Sequence, residues 1–81
     1  MHLSKEFIEE LELLTLFDLH SSQTGLKIHH EAPKERIAAA RRLFDKNITT
    51  LEDGGYLTLL GIEAAEHAQA LVTMLQPSSP E

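Results

Sequence analysis

A small α+β domain with the element order helix, strand, helix, β-hairpin, helix is what this sequence predicts, on three observations. Two β-prone runs, residues 48–52 and 56–59, are separated by Asp53-Gly54-Gly55. Asp-Gly favours the positive φ that tight hairpin turns demand, so the hairpin signal is strong. Thr58 directly precedes an Ala-rich run with helical spacing, where its hydroxyl can accept from a free backbone N–H. Two earlier stretches carry apolar residues at helical intervals, with a short alternating run between them. Strand and hairpin can then form a small antiparallel sheet, with the helices covering one face. A hairpin followed by a closing helix is how a winged-helix domain ends, so the predicted fold is winged-helix-like. An all-α chain with a simple turn at residues 53–55 is the rival fold.

The first helix starts at Ser4, a good N-cap, and Leu3 and Ile8 are spaced for a hydrophobic staple. Phe7, Ile8, Leu11, Leu14 and Phe17 follow helical spacing. Ser21-Ser22-Gln23-Thr24-Gly25 supplies turn residues, so this helix is expected to end near His20. Leu26-Lys27-Ile28 alternates apolar, polar, apolar, as a half-buried strand does. Pro33 suits the first turn of the second helix, where its missing N–H is no loss. In that helix Ile37, Ala40, Leu43 and Phe44 share one arc, and Lys34, Glu35, Arg41, Arg42, Asp45 and Lys46 lie on the opposite one. Asn47 can take the left-handed conformation that ends a helix. The last helix has Gly61, Ala64, Ala65, Ala68, Leu71, Val72 and Leu75 as its packing stripe, and Pro77 stops it. Residues 1–76 are expected to form a single domain, with residues 77–81 a flexible tail.

The 81 residues suffice for one small domain, and so small a core leaves room for stabilisation by a partner. Without cysteine there is no disulfide framework, thiolate nucleophile or Cys zinc site. The first residues lack a basic segment followed by an apolar one, so no signal peptide is expected. No apolar run approaches the roughly 20 residues of a membrane span, which leaves a cytoplasmic protein with no membrane partner as the expectation.

Net charge is −6, unevenly spread. The first 20 residues carry Glu6, Glu9, Glu10, Glu12 and Asp18 against Lys5 alone, and no Lys or Arg follows Glu52. The remaining cations, Lys27, Lys34, Arg36, Arg41, Arg42 and Lys46, lie in the middle with Glu31, Glu35 and Asp45. The acidic balance opposes non-specific nucleic-acid binding, which draws mainly on phosphate neutralisation, but a local basic face would still attract phosphate.

That basic face is the constellation with the clearest chemistry. In winged-helix proteins the helix before the hairpin enters the major groove, so Lys34, Arg41, Arg42 and Lys46 are the candidate nucleic-acid-binding residues. Two features weigh against that role. The hairpin tip, Glu52-Asp53, would repel phosphate, and residues 29–33 are too few for the helper helix of a helix-turn-helix. A solvated mixed-charge face is the plain alternative. The second candidate is the last helix, where Ala64, Ala68, Leu71 and Leu75 could form a homodimer seam or contact another protein, or could simply pack on the first helix.

Catalysis is not expected. His20, Ser21 and Ser22 sit together in a turn without an orienting acid, and Gly54-Gly55 lacks the pattern of a phosphate loop. So small a domain has little room for an enclosed substrate pocket, so no small-molecule substrate is expected. His29 and His30, read as strand neighbours, would point to opposite faces, and Glu63 with His67 lacks a third ligand. Neither a metal nor a cofactor is expected.

The segment DGGYLTLLGIEAAEHAQAL resembles a bacterial family of small uncharacterised proteins. The likeness extends through FIEELELLTLFDL, GLKIHH and IAAARRLFDKN to the end of the last helix. That family has no established activity, so the resemblance implies no functional residue. More loosely, RRLFDKNIT, GGYLT and GIEAAEHA are similar to the last helix, wing and final helix of MarR-like winged-helix regulators, which implies a regulatory, DNA-associated role.

Overall fold

A computed structural model describes residues 2–21 and 23–77. The elements are α1 (Lys5–Leu14), β1 (Leu26–Lys27), α2 (Lys34–Asp45), β2 (Thr49–Leu51), β3 (Gly54–Leu57) and α3 (Leu59–Leu75). The strands form one antiparallel sheet in the order β1-β3-β2. This α+β order is compatible with a winged-helix-like arrangement, and the all-α alternative falls.

Local capping chemistry sets most helix ends. Ser4 caps α1, its hydroxyl accepting from Phe7 N at 3.1 Å. Asn47 adopts φ 66° after α2, with Asn47 N donating to Phe44 O and Ile48 N to Leu43 O, both at 2.9 Å. Those paired bonds satisfy the last carbonyls of the helix and turn the chain directly into β2. Thr58 does more than cap α3. Its hydroxyl accepts from Gly61 N at 2.9 Å and donates to Asn47 O at 2.7 Å, tying the start of α3 to the end of α2. Thr58→Ala should therefore lower stability by about 1–2 kcal/mol, whereas Thr58→Ser should retain most of it. Chemical denaturation of the two variants side by side checks this.

Two expectations need correction. The first helix stops at Leu14, well short of His20. The carbonyls of Leu14 and Phe17 accept from the Gln69 side chain on α3, at 3.1 and 2.8 Å, instead of from a continuing helix. Asp18 then accepts from His20 N at 2.9 Å, a local turn that competes with helix, and Phe17 enters the core from outside α1. The hairpin is present, but Glu52-Asp53 form its turn and the glycines lie in β3, with φ 121° at Gly54 and 77° at Gly55. Gly54 is needed there because a side chain would overlap the carbonyl oxygen of Leu26 on β1.

The core is Leu13, Leu14, Phe17, Ile28, Ala39, Ala40, Leu43, Ile48, Ala65 and Ala68. Four of these are alanines and Leu13 is the largest fully enclosed side chain, so helices approach closely around a thin core. Several expected core residues lie outside it. Phe7, Ile8 and Ile37 are exposed, with Ala39 buried in place of Ile37 because α2 is rotated to bring its alanines inward. On α3 Gly61, Ala65 and Ala68 are buried, while Leu71 and Leu75 are exposed. Of the expected tail, residues 78–81 lie outside the described residues.

Candidate functional site

One side of α3, at the margin of the core, looks onto an apolar groove. Helical spacing aligns Leu60, Ala64, His67, Leu71 and Leu75 along that side. Across the groove stand Phe7, Leu11 and Leu14 of α1, at i, i+4 and i+7; Leu43 of α2 and Ile48, just before β2, also line it, and Glu10 and Lys46 border it. The space enclosed is about 310 Å³. Phe7 and Leu71 are each 48% exposed at its edges, and α3 extends further with Met74 at 72% and Leu75 at 73%. α1 and α3 therefore present facing apolar rows whose outer side chains, Phe7 and Leu71, stay exposed among the described residues. Of the residues expected at an interface, the groove brings together Ala64, Ala68 and Leu71, and Leu75 lies beyond its end.

Three of the four candidate cations, Arg41, Arg42 and Lys46, are engaged by this chain's own carboxylates. Glu10, one turn before the end of α1, is buried at 7% exposure. It accepts from Arg42 Nε and from Lys46 Nζ, each at 2.5 Å. Arg42 also donates to the carbonyl of Glu6 at 3.1 Å. Burial pushes the Glu10 carboxyl up, but the hydrogen bonds and charges of Lys46 and Arg42 outweigh it and hold the group below its ordinary value. Arg41 lies 3.4 Å from both Asp45 and Glu52, so the acidic hairpin tip reaches back to α2. Asp53 pairs with Lys27 at 2.8 Å, and that ammonium holds its carboxyl below the usual range. Lys34 lines a mixed-charge cleft of about 620 Å³ between α1 and α2 together with Arg42, Lys5, Glu6, Glu9 and Glu35, and neither Arg41 nor Lys46 reaches it. The four candidate cations thus do not converge on one site.

Glu10 is the residue whose role the sequence conceals most. Its signal was positional: a carboxylate on the arc between Leu13 and Leu14, opposite two cations spaced i, i+4 on α2. His29 and His30 also depart from expectation. They follow β1 instead of lying within it, and their rings stack with centroids 4.8 Å apart. His67 lies 3.9 Å from Glu63, one turn away on α3. Among the described residues no three His, Asp or Glu side chains gather to hold a metal ion, and no helix is long and apolar enough to cross a membrane.

Comparison with known proteins adds one result to this geometry. Neither curated proteins nor solved structures give a match to the chain. The pattern of a family described as a family of unknown function (DUF5669) matches residues 1–76, which covers every helix and strand described above. The chain belongs to that family.

Proposed function

We propose that this protein is a non-enzymatic interaction module whose groove between α1 and α3 receives the apolar stripe of an amphipathic partner helix. The observation that carries the reading is the pair of facing apolar rows, Phe7-Leu11-Leu14 and Ala64-Ala68-Leu71, whose inner members Leu14 and Ala68 are buried while Phe7 and Leu71 stay exposed at the rims. A helix laid between them would present side chains at the same i, i+3, i+4 spacing to both walls, the usual mode of helix-in-groove recognition. Covering the exposed halves of Phe7 and Leu71 and most of Met74 and Leu75 is worth roughly 1 kcal/mol or more per side chain. A domain with so thin a core gains from such a partner.

Nucleic-acid-associated regulation through Lys34, Arg41, Arg42 and Lys46 is the competing reading. A phosphate at that face would have to displace Glu10 from Arg42 and Lys46, and Asp45 or Glu52 from Arg41. The net charge of −6 also opposes the approach of a duplex. Helix docking is preferred on those grounds.

Titration of isotopically labelled protein with a synthetic Leu/Gln/Lys helix, Leu at heptad a and d positions, tests the preference by nuclear magnetic resonance. Amide shifts should concentrate at Phe7, Leu11, Ala64 and Leu71. No shifts in a chain that sediments as a monomer, or shifts spread evenly over the surface, would sink the reading. Shifts of Arg41, Arg42 and Lys46 on titration with duplex DNA at low salt would favour the competitor.

A further inference from the structure

We infer that the helix received by the groove is α3 of a second copy of this chain, laid antiparallel about a two-fold axis passing between His67 and Ala68. The inference rests on the helix-docking reading and names its partner. α3 already has the chemistry that the groove requires. Leu60, Ala64, His67, Leu71 and Leu75 recur at i, i+4, i+7, i+11 and i+15, the spacing of a helix–helix seam, and the three leucines are exposed. This row nearly repeats when read backwards from its centre. Antiparallel pairing sets Leu60 against the partner's Leu75 and Ala64 against the partner's Leu71. A large side chain then meets a small one at both inner contacts, which is how facing layers interdigitate without voids.

Charge selects the same orientation. Glu63 and Glu66 lie in the first half of α3, and no charged residue occurs from Ala68 to Leu75. Antiparallel pairing places each copy's Glu63 beside the uncharged half of the other. Parallel pairing would bring Glu63, which flanks the row, against its own duplicate, and like charges that close are destabilising, whereas Glu66 faces away from the seam. Only the antiparallel case also sets the positive N-terminal end of each helix dipole beside the negative C-terminal end of the other. A two-fold arrangement is self-complementary, so it covers both grooves at once and closes without leaving a site to propagate.

Introduced thiols report the register without background, since the chain contains no cysteine. Positions 64 and 71 are about 10.5 Å apart along one helix, too far for a disulfide within a chain. Mixing Ala64→Cys with Leu71→Cys under mild oxidation should give a covalent heterodimer as the main product, with little from either variant alone. A homodimer from Ala64→Cys alone would mean a parallel register and overturn the proposal. Only monomer in sedimentation equilibrium of the wild-type protein, up to millimolar concentration, would overturn it as well. Leu71→Asp should weaken self-association at least about tenfold, while Leu16→Asp, on the exposed turn after α1, should leave it unchanged. If the monomer is all that forms and the synthetic helix still binds at Phe7 and Ala64, helix docking stands and the second copy is excluded. If neither forms, both readings fall.

Discussion

Gly61→Ala is expected to destabilise this domain by about 3 kcal/mol or more, although alanine is the better helix former by about 1 kcal/mol at an open position. Gly61 is the third residue of α3 and is buried against the entry to β2. A Cβ there would overlap the carbonyl oxygen of Ile48, which already accepts from Thr58 N at 3.0 Å. Relief requires either moving β2 or lifting the first turn of α3. The second course breaks the bond between Gly61 N and the Thr58 hydroxyl and draws Ala65, fully enclosed, away from the core. Overpacking of this kind against backbone has no flexible side chain to absorb it, so the steric loss exceeds the propensity gain. At about 4–8 °C per kcal/mol for a domain of this size, the midpoint of thermal unfolding should fall by at least about 10 °C. Ala70→Gly, at an exposed position of the same helix, should cost about 1 kcal/mol and serves as the reference. A rise in midpoint for Gly61→Ala would mean that α3 is not seated on β2.

What could be read from the sequence was whatever a few neighbouring residues decide. Ser4, Asn47 and Thr58 each terminate a helix through bonds to residues within a few positions, and all three act as their residue types imply. The hairpin was legible for the same reason. The position of its turn was not, because Gly54 is set in β3 by its pairing with another strand, β1, whose Leu26 carbonyl comes too close for a side chain. The early end of α1 draws on Gln69, more than 50 residues downstream, which no local pattern announces, as well as on the local turn at Asp18. The same division applies to the candidate site. The apolar row of α3 was visible, but its exposure was not, since spacing marks a face without saying what covers it. The basic arc of α2 was visible too, and Glu35 and Asp45 were its apparent counterions on that helix. The decisive counterion for Arg42 and Lys46 is instead Glu10, brought over from α1 by packing.

Glu10, Arg42 and Lys46 should respond unequally to removal, and the inequality bears on function. Replacing both cations, as Arg42→Met with Lys46→Met, leaves a buried carboxylate with neither partner and should cost about 3–5 kcal/mol. Glu10→Gln leaves cations that can turn to water, since their side chains are 32% and 57% exposed, and should cost nearer 1–2 kcal/mol. Acid separates the cases further. The Glu10 carboxyl is held below its ordinary 4.5, so the stability it contributes is complete above that value and is lost as pH falls through the lowered one. Wild-type unfolding should therefore steepen below pH 4.5 by an amount that Glu10→Gln lacks. The same variant releases two cations on one face while lowering the negative charge by one. If duplex DNA binds Glu10→Gln at low salt but not the wild-type chain, Glu10 is what keeps the α2 cations from phosphate, and the groove between α1 and α3 remains the working surface. If both bind alike, the ion pairs do not occupy those cations, and the preference for helix docking over nucleic acid reverses.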